Sequence, residues 1–347
     1  MTLRTGIFIR STARGLATQT QEAWRGFPFD AALHITDGNP LWPENLWPVH
    51  RPADTYRAVL ENGRLYSEEM DQFLDQVDIV FSVETLYDQY VAKRLQHRGI
   101  RTVVQGNCEL WRPSQPQTNG TKWVWPTPWR LPGVPEGPTI PVPVAMDCSA
   151  VAADIDEPLV VVHPAGHRAV GDRNGTDLVL AALSAVRTDV TLRIIGQDGK
   201  GSIVRPGKQL GLPGNVKVEV LETGLADRWA IYDGAHAVLL PRRYGGLCLP
   251  VQEALQAGVV PLMTDCDPNP WWPIIPIPAS KGKGQRVPYG AIETWSANPR
   301  HIARRIDELN WNRQLLVDGR KAAAEWTAAH TWEALGPMYH DLFQSRL

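Results

Sequence analysis

The stretch PRRYGGLCLPVQEALQAGVVPLMTDCDPN, residues 241–269, gathers the residue types that handle phosphates and hydroxyls. Gly245 and Gly246 allow the backbone a close approach to a ligand. Pro250 suits the first turn of a helix, where its missing N–H costs nothing. Val251, Ala254, Leu255 and Ala257 give that helix an apolar face, and Gly258 is a natural stop before the apolar strand Val259–Met263. A glycine-bearing loop that opens a helix aims unsatisfied N–H groups and the positive dipole end at one point, which makes an anion site. Glu253 lies one turn inside the helix and reaches back over that point. Main-chain donors for a phosphate and a carboxylate for hydroxyls are the donor set of a nucleotide-sugar cradle.

Two further carboxylates end apolar strands: Glu84 after Asp78–Val83, and Glu109 shortly after Thr102–Val104. Ligands of parallel sheets gather beyond the carboxyl ends of strands, so either residue suits a base or a partner for an acceptor hydroxyl. A salt bridge or a helix cap is the competing reading of both. Tryptophans cluster in loops without periodicity, at Trp42 and Trp47, at Trp123, Trp125 and Trp129, and at Trp271 and Trp272. For Trp42 and Trp47, stacking on an acceptor, a sugar or a base is one use; plugging the loop onto the domain surface is the other. The D-x-D of Asp265 and Asp267 sits in a Pro-Asn turn, where such residues are common anyway, and is read as a turn rather than a metal site.

The elements that must position these groups alternate. Strands are expected at 5–9, 31–36, 78–83 and 102–104, with helices from about Thr18, over 67–77 and over 87–97. After a long Pro/Trp-rich segment a second series begins, with strands at 159–163, 191–195, 216–221, 237–240 and 259–263. Helices follow Thr176, span 228–233 and close the chain at 297–310, 312–330 and 332–343. Strand–helix alternation at these lengths predicts an α/β chain with parallel sheets. At 347 residues, two domains are expected.

In Gly245-Gly246-Leu247-Cys248-Leu249-Pro250-Val251-Gln252-Glu253-Ala254, followed by Ala257-Gly258 and Pro261, the chain resembles the donor motif of family-4-type glycosyltransferases, also known as glycosyl transferases group 1. The wording R-x-Y-G-G-L-x-L-P with M-T-D-x-x-P-N is similar to phage-encoded members. The resemblance implies the GT-B fold: two Rossmann-like, doubly wound domains facing a central cleft. These would be an acceptor-side domain over 1–150, a nucleotide-sugar donor domain over 151–325, and a C-terminal helix, 326–347, crossing back to the first domain. It further implies that Glu253 holds the ribose hydroxyls, and that the amides of Leu247, Cys248 and Leu249 face the donor phosphate and sugar. Arg168 and Arg173, after Gly166, would neutralise the diphosphate, a task suited to the planar donor fork of arginine. Backbone at Thr223 and Gly224 would meet the nucleobase, and Gly15 would lie near donor phosphate or acceptor. Three departures stand out. Gly245 replaces the first glutamate of the motif, Asn174 replaces a lysine, and a first-domain histidine is missing, with Glu84 the nearest ionisable substitute.

The implied activity is transfer of a sugar from a nucleotide sugar, a UDP-sugar first among them, to a hydroxyl. The implied course is retention of configuration, no metal, and no cofactor beyond the donor as co-substrate. Glycan, protein and modified DNA base all stay open as acceptors. A nucleotide-sugar epimerase and a non-catalytic sugar-binding module of the same fold are the alternatives. Lys plus Arg, 35, nearly balance Asp plus Glu, 37, and the first 150 residues carry 14 basic against 16 acidic. No global field therefore draws the chain to nucleic acid or anionic lipid. With four scattered cysteines without metal-ligand spacing, no signal-peptide pattern and no run of membrane-spanning length, the cytoplasm is the expected location and no membrane insertion is expected. The sequence carries no signal for an oligomeric state.

Overall fold

The computed structural model describes residues 3–11, 15–37, 52–166, 172–196, 212–221, 227–287 and 290–344. The chain divides into two compact units, Met1–Met146 with His330–Leu347, and Asp147–Ala329.

The first unit is built on a seven-stranded sheet, in chain order β1 (Thr5–Ser11), β2 (Ala31–Asp37), β3 (Thr55–Glu61), β4 (Arg64–Tyr66), β5 (Ile79–Val83), β6 (Arg101–Gln105) and β7 (Lys122–Val124). Its helices are α1 (Gly15–Gly26), α2 (Met70–Asp75) and α3 (Gln89–His97). In space the strands run β4-β3-β2-β1-β5-β6-β7, and every pair but β3–β4 is parallel. The order reverses between β1 and β5. Successive side chains of a strand point to opposite faces, and the core splits accordingly. Phe8, Val80 and Val104 face one layer, while Ile7, Ile9, Phe81 and Val103 face the other. The second layer is closed by the chain's last helix, α8 (Trp332–Gln344), whose Tyr339, Leu342 and Phe343 pack there with Phe27 and Phe29.

Two local readings change, and one hairpin is added. The helix expected over 67–77 is only Met70–Asp75, because the residues before it serve β3. Ser67 Oγ donates to the Arg57 carbonyl, and the Glu69 carboxylate accepts from the Arg57 N–H. The β3–β4 hairpin turns through Asn62 and Gly63, at φ 49° and 75°, a pair of left-handed positions that matches strand twist. The segment around Trp123 and Trp125, read as aperiodic, holds a strand. Trp123 lies in β7, both indoles are buried, and they stack with centroids 5.9 Å apart.

The second unit has a six-stranded parallel sheet: β8 (Val160–Gly166), β9 (Val190–Gly196), β10 (Val216–Leu221), β11 (Ala237–Leu240), β12 (Val260–Thr264) and β13 (Ile275–Ile277). The spatial order is β10-β9-β8-β11-β12-β13, so the reversal falls between β8 and β11. Two short hairpin-like pairs follow, β14 (Ala279–Lys281) with β17 (Trp295–Ala297) and β15 (Gln285–Val287) with β16 (Gly290–Ile292). The helices are α4 (Thr176–Ala182), α5 (Leu249–Gln256), α6 (Pro299–Trp311) and α7 (Gln314–Ala329). Ile302, Ile306 and Leu309 of α6 sit in one core with Val161, Leu192 and Leu239. Buried Asp307 ties α6 to the turn before β9 by accepting from Arg187 N (2.9 Å), Thr188 N (3.0 Å) and Thr188 Oγ1 (2.9 Å). Among the described residues no helix is long and apolar enough to cross a membrane.

Candidate functional site

In doubly wound sheets a ligand crevice opens where the strand order reverses, beyond the carboxyl ends of the strands. In the second unit the segments leaving β8 and β11 meet at that place. The first supplies residues 172–176 and the second residues 241–248.

Their contact is built from the backbone outward. Gly175 takes φ 76°, and a Cβ there would run into the Pro241 carbonyl. Arg243 N donates to the Arg173 carbonyl at 2.9 Å. Arg243 Nε donates to the Asp172 carbonyl at 3.1 Å, and its Nη2 to both oxygens of Asp177 at 2.7 and 2.6 Å. Asp172 in turn accepts from Thr176 N (2.7 Å) and Asp177 N (2.8 Å), capping α4. Burial alone would push the Asp172 carboxyl up, but hydrogen bonds from Asp177 and Thr176 and the Arg243 charge hold it below the usual carboxylate range. Beneath these loops, His163 Nδ1 donates to the Leu239 carbonyl at 2.7 Å and Nε2 accepts from Thr176 Oγ1 at 2.8 Å. A carbonyl can only accept, which settles the tautomer. Burial holds this imidazole neutral.

Gly245, at φ 136°, sits against two guanidinium groups. A Cβ there would collide with Nη2 of Arg173 and Nη2 of Arg242. Arg173 lies over the Tyr244 ring, 5.5 Å from its centroid. Arg242, 3% exposed, was not among the candidate site residues, although it opens the R-x-Y-G-G-L-x-L-P wording. The two arginines part company: Arg243 braces α4, while Arg242 turns toward Gly245.

Gly246 and Cys248 are buried, and Leu247 and Leu249 half-buried, on the approach to α5. The Cys248 carbonyl accepts from Val251 N at 3.0 Å, and Pro250 fills the first turn. Glu253 is half-buried one turn on, and its Oε2 accepts from Tyr232 Oη at 2.9 Å. Burial, and next the Glu253 charge, raise the Tyr232 hydroxyl well above its ordinary range, so it stays a donor. Gly166 ends β8 at φ 74°, close against the Asn174 amide. Asn174, in the position of the motif's lysine, donates Nδ2 to the Pro164 carbonyl at 2.8 Å and so closes the loop onto its strand. Asp265 and Asp267 are exposed in a turn that Asn269 stabilises by donating Nδ2 to the Thr264 carbonyl at 2.8 Å. Among the described residues no group of three or more His, Cys, Asp or Glu is arranged to hold a metal ion.

In the first unit, Glu84 follows β5 at its own reversal point, in a left-handed conformation (φ 67°), as does Tyr87 (φ 64°). Such strain in a non-glycine residue persists only where neighbours fix it. Here Glu84 N donates to the Gln105 carbonyl (2.9 Å), Asn107 Nδ2 to Glu84 Oε1 (2.9 Å) and Gln115 Nε2 to the Glu84 carbonyl (3.1 Å). Arg10 lies over the Tyr87 ring, 5.2 Å from its centroid. Glu109 is buried in a single 3-10 turn, Cys108–Leu110, away from solvent. Gly15 is exposed at the first residue of α1. Arg168, Thr223, Gly224, Trp42 and Trp47 lie outside the described residues.

Each unit is thus a doubly wound parallel sheet, and the second carries a glycine loop and a carboxylate-bearing helix at its reversal point. Residues 168–271 match the family profile "Glycosyl transferases group 1". Anabaena HepE, solved in complex with UDP and glucose, superposes with a TM-score of 0.65 at 10% identity, over 99% of this chain and 100% of that one. Sucrose-phosphate synthase from Thermosynechococcus elongatus gives 0.63 at 16%, over 98% and 99%. The lipopolysaccharide outer core galactosyltransferase WaaB gives 0.64 at 14%, over 99% and 100%. A search of curated protein sequences returned no match. The chain has the GT-B fold, and part of its second unit matches the glycosyl transferases group 1 profile.

Proposed function

We propose that this chain is a glycosyltransferase that moves a sugar from a UDP-sugar to an acceptor hydroxyl with retention of configuration. One observation carries the reading: at the reversal point of the second sheet, the Gly245–Leu249 loop opens α5, and Glu253, oriented by Tyr232, stands one turn inside it. The loop amides serve the diphosphate, Glu253 the ribose hydroxyls, and Arg173 the charge that grows on the leaving group. HepE supports the choice of nucleotide, since it was crystallised with UDP and with UDP-glucose.

In the proposed reaction the bond from the anomeric carbon to the diphosphate oxygen breaks. The acceptor oxygen bonds to that carbon on the same face, and its proton passes to the departing diphosphate. The protein contributes position and fixed positive potential rather than a covalent intermediate. Glu84 of the first unit is assigned to an acceptor hydroxyl, and no metal is needed.

Calorimetric titration with UDP, GDP and ADP tests the donor site. UDP should bind tightest, and Glu253→Gln should weaken it by about tenfold to a hundredfold with an unchanged melting curve. Binding of no nucleoside diphosphate, or a variant indistinguishable from the parent, overturns the reading. Proton NMR of the product's anomeric centre tests retention, and full turnover in excess chelator tests metal independence.

A further inference from the structure

In the first unit, β5, β6 and β7 are parallel neighbours, so the loops that leave their carboxyl ends share one edge of the sheet. Hydrogen bonds fasten the second loop onto the first. Asn107 Nδ2 donates to Glu84 Oε1 at 2.9 Å, and Gln115 Nε2 donates to the Glu84 carbonyl at 3.1 Å. The turn between these two anchors carries Trp111, whose N–H donates to the Asn107 carbonyl at 3.1 Å. The third loop joins them through Cys108 Sγ, which donates to the Trp129 carbonyl at 3.1 Å. Trp111 and Trp129 pack against the core that holds Val80 and Val104, yet both stay half-exposed. One carboxylate and two tryptophans from three loops are thus gathered beside the reversal point of this sheet.

The backbone at Glu84 argues that the carboxylate has a use other than stability. At φ 67° the position favours glycine, and Tyr87, three residues on, is held at φ 64°. A carboxylate kept where glycine would cost less, with its side chain fixed by Asn107, is an acceptor aimed at a set point. Beside it, the indole Nε1 of Trp111 is turned inward with no hydrogen-bond partner among the described residues, so the ring offers its face and not its donor.

A sugar ring presents the two matching surfaces. Its hydroxyls donate to a carboxylate, and its C–H bonds pack on an aromatic face. A nucleic acid would also stack, but its phosphates call for cations, and the first 150 residues carry 14 basic against 16 acidic. An extended peptide pairs with the edge of a strand, whereas these groups stand at strand ends.

We infer that the acceptor is a carbohydrate, whose ring lies on Trp111 while one of its hydroxyls donates to Glu84. The inference rests on the proposed reading of the chain as a glycosyltransferase. It narrows the acceptor from glycan, protein or modified base to the first of these.

The test is saturation-transfer NMR of the full chain, with and without UDP, against the methyl glycosides of glucose, galactose, mannose and N-acetylglucosamine, and against maltose and lactose. A hydroxymethylcytosine oligonucleotide and a serine peptide serve as competing probes. At least one saccharide should bind. Glu84→Gln should weaken it about tenfold, the loss expected for a hydrogen bond to a charged group. Trp111→Leu, which keeps apolar volume without an aromatic face, should weaken it about fivefold. Trp111→Phe should restore most of that loss, since no hydrogen bond of the indole is at stake. UDP affinity by calorimetry should stay within about twofold of the parent in all three variants. Thermal melts show which variants are folded, and Glu84→Gln with the parent's own binding decides if Trp111→Leu is not. Absence of saccharide binding overturns the inference, as does a saccharide whose affinity ignores both residues. Binding of the oligonucleotide or the peptide that these variants weaken also overturns it. Saccharide binding lost in the variants while UDP fails to bind upholds the inferred site and overturns the donor reading instead.

Discussion

Tyr232 donates its hydroxyl to Glu253 across 2.9 Å, from a fully buried ring to a half-buried carboxylate. A residue at the end of one short helical turn thus sets the direction of the carboxylate on α5. Tyr232→Phe keeps the ring and removes only the donor. A hydrogen bond to a charged group is worth about 1.5–3 kcal/mol, so kcat/KM for the donor should fall roughly tenfold to a hundredfold. The fall should be smaller than for Glu253→Gln. Steady-state kinetics beside a melting curve check this, and unchanged kinetics would mean that Glu253 is oriented by its other neighbours.

Gly245→Ala places a Cβ where Arg173 and Arg242 already stand, on a backbone at φ 136°. Displacing two side chains and straining the loop should cost about 1–3 kcal/mol. The melting temperature should drop by several degrees, and donor binding should fall with it. A variant as stable as the parent would show that the two arginines are free to move aside.

Stability should also fall in mild acid. Burial lowers the proton affinity of His163 and His236 below the ordinary histidine value of 6.5. The unfolded chain therefore takes up protons near pH 6.5 that the native state refuses. The native state is fully favoured above that pH and loses ground as pH falls below it, by up to about 1.4 kcal/mol per pH unit for each histidine. Denaturant melts at pH 7.5, 6.5 and 5.5 should show the decline, and His163→Gln should reduce its slope. The same slope in that variant would place the linkage elsewhere.

Trp125 should behave as a core residue rather than a ligand platform. It is fully buried, stacks on Trp123, and donates Nε1 to the Pro135 carbonyl at 3.2 Å. Trp125→Ala should cost about 3–5 kcal/mol, the usual range for emptying a large aromatic site. Trp125→Phe should restore most of the stability. An alanine variant with the parent's denaturation midpoint would contradict this packing.

Much of the local structure was legible because it is written in short-range chemistry. The apolar run Val160–Val162, the helix opened by Pro250 and stopped at Gly258, and the three-and-four spacing of Ile302, Ile306 and Leu309 are each fixed within a dozen residues. Their alternation was enough for two parallel sheets. Where neighbours distant in sequence intervene, local reading failed. Ser67 and Glu69 looked helical but serve β3 through Arg57. Trp123 stood in a stretch without periodicity, yet pairing of β7 with β6 draws it inside.

The residues themselves determined that a glycine loop, a helix start and a carboxylate would lie together, because all three fall on one continuous segment. Only the tertiary structure decided what else stands there. It sent Arg243 to Asp177 and Arg242 to Gly245, brought Tyr232 to Glu253, and turned Asn174 back onto Pro164. Those choices depend on the strand order β10-β9-β8-β11-β12-β13, which sets two loops some 70 residues apart in the chain against each other, as in the Arg243–Asp172 bond. Periodicity cannot encode such a meeting, since the free energy that selects it comes from burying both faces of the sheet at once.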